Sequence, residues 1–174
     1  MNVAYRAEAL APHLDELGDL LQCEFIFLKQ IKEAAKASAS IVHFCESSLS
    51  GYPGIDFKSM EEHDHECMQD SLDKICKSCR ELEISAIIGG HHFEKGMEKP
   101  FNCLWLIDPK GEIRERYDKR FLTGNFDEEE HYHYSAGMER VIFELEGISC
   151  GLLICHEWRY PELYRDYKKA GVQL

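Results

Sequence analysis

Three ionisable side chains in this sequence stand at the ends of apolar runs, where a folded chain exposes reactive groups. Cys155 closes the run Gly147-Ile-Ser-Cys-Gly-Leu-Leu-Ile-Cys155, which reads as a buried strand ending in a thiol. His156-Glu-Trp-Arg-Tyr-Pro161 follows at once. Pro161 suits the first position of a helix, where its missing N–H costs nothing, and Gly171 suits the helix stop. A thiol on such a strand-to-helix turn lies close to backbone N–H groups that hold an anion. With a cation nearby it becomes a nucleophile. Taken alone, a cysteine ending an apolar strand is more often a small core residue, so the company it keeps decides.

That company is a carboxylate and an ammonium. Ile41-Val-His-Phe-Cys-Glu46 ends an apolar stretch in an acid, ahead of the turn Gly51-Tyr52-Pro53-Gly54. Arg116-Tyr-Asp-Lys119-Arg-Phe-Leu-Thr-Gly124 places a lysine just after a strand and turn. In open α/β sheets, ligands bind along the edge that strand ends form. Gathered there, the three groups amount to a nucleophile, a proton carrier and a cation for a developing negative charge.

Together these segments resemble the nitrilase superfamily, the carbon–nitrogen hydrolases, in its amidase and carbamoylase branch. The matching contexts are Glu46 before Gly51-Tyr52-Pro53, Tyr117-x-Lys119-x-x-Leu122, and Cys155 before Arg159-Tyr160-Pro161-Glu162-Leu163. They occur in the family's order and cover most of the chain. The resemblance implies a catalytic triad of Glu46, Lys119 and Cys155, working through a thioester. Cys155 attacks, Glu46 carries protons, and Lys119 favours the thiolate and steadies the tetrahedral intermediate. It also implies a second glutamate, seven residues before Gly137, which is Glu130; a slipped alignment puts Glu128 or Glu129 there instead. Glu130 and His156 are assigned to substrate positioning, His156 mainly through its backbone. No cofactor is implied. The substrate is a small linear amide or carbamoyl compound, ranked ahead of a nitrile. The alternative is a non-catalytic, truncated family member acting as an interaction module or inactive remnant.

The elements that must position these residues read as an alternating α/β chain. A helix is expected over Asp19–Ala39, with Phe27, Leu28, Ile31, Ala34 and Ala35 on one face. Strands are expected at Ile41–Cys45, Ser85–His91 and Asn102–Asp108, with a helix near Glu61–Glu83 between the first two. Pro109-Lys-Gly111 makes a turn, and Val141–Leu145 with Ile148–Ile154 flank a tight hairpin at Glu146-Gly147. The resemblance sharpens this to a nitrilase-like α-β-β-α sandwich, one partial domain over residues 1–174. It implies an opening strand within Met1–Leu10 and further elements beyond Leu174, with Gly171–Leu174 as the start of a strand cut short. The sheet edges and apolar face left open predict a homo-oligomer.

Cysteine and histidine raise a rival. His63-Asp-His65-Glu-Cys67 precedes Cys76-Lys-Ser-Cys79, a set of zinc-ligand types. Yet Met68, Leu72, Ile75, Cys76, Cys79 and Leu82 recur at spacings of three and four, the apolar stripe of an amphipathic helix. The expectation is therefore a helix and no metal. His91 and His92 read as strand-end residues. His131 and His133 alternate with Tyr132 and Tyr134 as in an extended segment. The acidic run Asp127–Glu130 reads as a solvated loop for two of its three glutamates, and as favouring a substrate that carries an amine.

A net charge of −12 offers no basic stripe for nucleic acid. No apolar run reaches membrane-spanning length. Met1–Leu10 lacks the charged start and apolar stretch of a signal peptide, which predicts the cytoplasm and reduced thiols.

Overall fold

The computed structural model describes residues 18–124 and 130–174, with side chains from Glu24 onward. The expected opening strand within Met1–Leu10 lies outside the described residues. The chain begins with α1 (Gly18–Lys36), then β1 (Ile41–His43) and, after a 3₁₀ turn at Met60–Glu62, α2 (His65–Leu82). Next come β2 (Ser85–His92), β3 (Phe101–Ile107), β4 (Ile113–Asp118) and a single helical turn, α3 (Glu130–His133). The hairpin β5 (Ile142–Leu145) and β6 (Ile148–Gly151) leads through a 3₁₀ turn, Cys155–Arg159, to α4 (Pro161–Lys169).

Four strands form one sheet in the order β1-β2-β3-β4, with β1 parallel to β2 and the other pairs antiparallel. β2 and β3 are apolar on both faces because both are covered: every residue of β3 is buried. On one face, Phe27, Ile31 and Ala34 of α1 and Met68, Leu72, Ile75 and Cys79 of α2 pack on Ala86, Ile88, Cys103, Trp105 and Ile107. Full burial of Leu72 and Ile75 contributes about 1.5–3 kcal/mol each. Asp64 starts α2 by accepting the Cys67 N–H at 2.9 Å. Thus Cys79 is core and Cys76 flanks it, as the helical stripe predicts.

On the other face, Ile41, Ile87, Leu104, Leu106 and Tyr117 meet Val141, Leu152 and Ile154, with Phe143 and Leu145 of the hairpin alongside. The hairpin is thus a second β layer. Outside it lies α4, whose buried Leu163 and Tyr167 face inward. The Tyr167 hydroxyl donates to the Leu152 carbonyl at 2.7 Å, and a Cβ at Gly151 would meet the Tyr167 ring at 2.7 Å. Helix, sheet, sheet and helix follow in the order expected.

Boundaries differ in instructive ways. α1 ends at Lys36, and the next turn passes through Ser38 at φ 56°. Beyond β6 the chain leaves ladder pairing, although Leu152 and Ile154 stay buried. The alternating His131–Tyr134 segment is a helical turn, not an extended one, because the Tyr134 N–H closes onto the Glu130 carbonyl at 2.8 Å. Gln173 and Leu174 lie beside β6: the Gln173 N–H bonds the Ser149 carbonyl, and the Gly151 N–H bonds the Leu174 carbonyl, both at 2.8 Å. No helix of the described residues is long and apolar enough to cross a membrane.

Candidate active site

Glu46 sits in the turn after β1, and the backbone of β2 fixes that turn. The Phe44 N–H bonds the Ile87 carbonyl and the Leu49 N–H bonds the Gly89 carbonyl, both at 2.9 Å. Lys119 directly follows β4, its N–H held by the Asn102 carbonyl at 2.8 Å. Glu130 opens α3, and its carboxylate accepts the Thr123 N–H at 2.6 Å. Three segments distant in sequence therefore end at one point.

There the Lys119 side chain is wholly buried and doubly paired. Its Nζ lies 2.6 Å from Glu46 Oε1 and 2.8 Å from Glu130, with Thr123 Oγ1 a weaker third partner at 3.5 Å. Asn102 Nδ2 bridges the same carboxylates, at 2.8 Å to Glu46 and 2.9 Å to Glu130. The Tyr52 hydroxyl of the Gly-Tyr-Pro turn also bonds Glu130. Burial works against the ammonium, but Glu46 and Glu130 outweigh it and raise the Lys119 pKa. For Glu130, burial opposes ionisation, while Lys119 and the bonds from Thr123 and Tyr52 overcome it and lower the pKa. Glu130 thus faces Lys119 rather than open solvent, which removes it from the acidic run proposed to attract an amine. Glu128 and Glu129 lie outside the described residues.

Cys155 reaches this cluster from the second β layer. It adopts φ 41°, a left-handed conformation rare for a residue with a Cβ. The turn is over-determined by Glu157, whose buried carboxylate accepts Ile154 N–H at 2.7 Å, Arg120 N–H at 2.9 Å and Phe121 N–H at 3.1 Å. The Tyr117 hydroxyl adds a bond at 2.8 Å. Glu157 therefore ties the cysteine turn to the segment that carries Lys119. A cavity of about 350 Å³ opens between His43, Cys45, Glu46, Leu104, Leu153, Ile154 and Cys155.

The expected pull of Lys119 on the Cys155 thiol is present but outweighed. Burial and the adjacent Glu46 carboxylate, to which the thiol is hydrogen-bonded, raise the Cys155 pKa. Lys119 and the His156 backbone N–H pull it down without prevailing, because Lys119 is already neutralised by two carboxylates. The cysteine rests as a thiol with a proton acceptor beside it. His156 contributes its backbone at this site, since its ring nitrogen Nε2 lies 3.0 Å from the Tyr160 hydroxyl.

The sequence-predicted Glu46, Lys119, Glu130 and Cys155 all converge. Asn102, Thr123 and Glu157 were not foreseen. Asn102 carries a visible signal, a lone amide inside the otherwise apolar strand Phe101–Ile107. Glu157 carries none, because its partners lie as far as 40 residues away.

A buried ammonium between two carboxylates, facing a cysteine across stacked sheets, defines a thiol-centred site of an α-β-β-α protein. The family model for carbon-nitrogen hydrolases matches residues 26–174, and the chain belongs to that family. Among its relatives, 2-oxoglutaramate amidase of Bacillus subtilis (strain 168) is 26% identical over 156 residues, 90% of this chain and 56% of that protein. Omega-amidase NIT2 of Homo sapiens is 29% identical over 149 residues, 83% of this chain and 52% of the relative. Among solved structures, an amidase from Nesterenkonia sp. AN1 in complex with butyramide superposes with a TM-score of 0.77 at 19% identity, over 89% of this chain and 57% of that one. The chain spans about half the length of these relatives.

Proposed function

We propose that this chain carries the catalytic centre of an amidase that hydrolyses a small linear primary amide through a cysteinyl thioester. The observation that carries this reading is the wholly buried Lys119, held between Glu46 and Glu130 beside Cys155. Relatives named as omega-amidases and as 2-oxoglutaramate amidase support a terminal carboxamide as the scissile group. Carbamoyl compounds come second and nitriles third.

Cys155 Sγ attacks the amide carbon while its proton passes to Glu46, the neighbouring acceptor. The carbonyl oxygen gains the negative charge. Lys119 Nζ and the His156 backbone N–H stabilise it, Lys119 releasing its weak bond to Thr123 to do so. Collapse breaks the C–N bond, and Glu46 returns its proton to the departing nitrogen, releasing ammonia and leaving a thioester. Glu46 then takes a proton from water, which attacks the thioester carbon. The second tetrahedral intermediate expels the sulfur, which regains the proton from Glu46 as the acid leaves. Glu130 acts through Lys119, fixing its position and charge. None of these steps calls for a cofactor.

The test is ammonia release from a panel of terminal amides by the wild-type chain and by Cys155→Ala. Turnover by the wild type and none by the variant is expected. Turnover retained in the variant overturns the mechanism. A wild-type chain that releases no ammonia from any amide favours the non-catalytic reading.

A further inference from the structure

Three histidines outside the catalytic cluster meet in one place. His63 follows the 3₁₀ turn ahead of α2, His65 opens α2, and His91 sits fully buried in β2. One nitrogen from each ring lies within 4.8 Å of the others. His63 Nδ1 is 3.1 Å from His65 Nδ1, which is 3.2 Å from His91 Nε2. The cysteines that first suggested zinc take no part: Cys76 and Cys79 lie along α2 against the core.

The outer nitrogens determine what the inner ones present. His63 Nε2 lies 2.9 Å from the Ser50 carbonyl, and His65 Nε2 lies 3.2 Å from the Met60 carbonyl. A carbonyl oxygen only accepts, so each Nε2 carries the proton. In the neutral rings, each Nδ1 then offers a bare lone pair. Two lone pairs facing each other at 3.1 Å repel unless a cation lies between them. His91 can direct one N–H at His65, but this does nothing for His63, and His91 Nδ1 has no partner among the described residues.

We propose that His63, His65 and His91 form a three-imidazole site for a divalent transition-metal ion, zinc foremost, that pins the Glu46 turn to α2 and β2. Zinc–nitrogen bonds of about 2.0–2.1 Å around a tetrahedral ion set neighbouring nitrogens about 3.3 Å apart. The two measured separations are close to that edge. Imidazole is a fitting donor for such ions, and the backbone carbonyls bonded to the outer N–H groups of His63 and His65 are partners of the kind that orient ligating histidines. Water completes the fourth position. Phe57, 5.1 Å from the His63 ring, and Phe93, 4.3 Å from the His65 ring, wall the site.

The role follows from the connections. Ser50 belongs to the turn that carries Glu46. His91 stands in register opposite Asn102, the residue that bridges Glu46 and Glu130. The ion therefore acts as a structural clamp behind the catalytic cluster, not as a participant in the reaction.

The test is a titration of the chelator-treated full chain with Co²⁺ and with Zn²⁺. It is read by visible absorption, bound metal after dialysis and thermal unfolding, none of which depends on amidase activity. About one equivalent of bound ion is expected. The cobalt spectrum should be tetrahedral without a thiolate charge-transfer band, and the unfolding temperature should rise. His63→Gln and His65→Gln, which keep a donor for the outer carbonyls, should fold by circular dichroism and lose the uptake. A chain carrying both Cys76→Ser and Cys79→Ser should keep it. Absence of uptake by the wild type, a thiolate band, or uptake undiminished in the folded histidine variants overturns the proposal.

Discussion

Lys119 keeps its charge although its side chain is wholly buried, because two carboxylates pair with its Nζ and outweigh the lost hydration. The pair is coupled in sign. The Glu130 pKa is lowered on folding, so its stabilising contribution is complete above the ordinary 4.5 and is lost as pH falls through the lower, folded value. Glu130→Gln should therefore flatten the acid limb of the stability–pH curve, measured by denaturant unfolding from neutral to acid pH. Removing the cation is harsher: Lys119→Met leaves the buried Glu130 carboxylate without its counter-ion, at a cost of about 3–5 kcal/mol. Glu157 gives a different signature, since its buried carboxylate is taken up by the Cys155 turn and by the backbone just after Lys119. Glu157→Gln keeps one acceptor oxygen and should lower kcat about 10²-fold with KM little changed, as expected for a misplaced nucleophile. Recovery with Glu157→Asp, in part, would separate positioning from gross unfolding. At this scale Glu46, Lys119, Glu130 and Cys155 were legible because each carries its own local context. Asn102 stands out as an amide in an apolar strand, but its role, like that of Glu157, lies in partners 56 and 37 residues away.

Each element that carries a site residue is fixed by backbone contacts leaving little room. Gly89 shows the tolerance most sharply: a Cβ there would lie 2.1 Å from the Cys45 carbonyl and 2.8 Å from the Ser47 nitrogen. Both atoms are backbone, flanking Glu46, so neither can turn aside. Gly89→Ala is expected to cost about 1–3 kcal/mol through overpacking and to lower ammonia release further than the stability loss explains. Thermal unfolding alongside kinetics checks this; unchanged kinetics would show that the turn moves freely. The helices and strands themselves were legible from periodicity, α2 most clearly, because Met68, Leu72, Ile75 and Cys79 hold one stripe. α3 was not, since four residues carry too little pattern and the turn is set by its tie to Thr123. The place of His91 beside His63 and His65 escaped for a similar reason: those two are neighbours in sequence, whereas His91 arrives from β2, 26 residues beyond His65.

Across the whole molecule, burial is uneven. Trp158, 65% exposed, and Tyr164, 49% exposed, stand on the 3₁₀ turn and helix that follow Cys155, with Met138 and Phe121 also open. We propose that Trp158 and Tyr164, on successive elements after Cys155, take part in a contact between copies of the chain. Light scattering should find an oligomer that Trp158→Arg converts to a smaller species, whereas a wild-type monomer contradicts the assignment. The alternating order of strands and helices made the layered architecture readable, but a one-dimensional pattern could not say which layer supplies which reactive group. The structure answers that: Glu46 and Lys119 belong to the first sheet, and Cys155 belongs to the second. Glu46 and Lys119 are 73 residues apart, and Cys155 lies later still. Such non-local pairings form late and slowly. The thiol can therefore serve as a clock for docking of the two layers. During refolding, its shielding by Glu46 should lag the return of helical and strand signals, and under mild denaturant it should be the first to go.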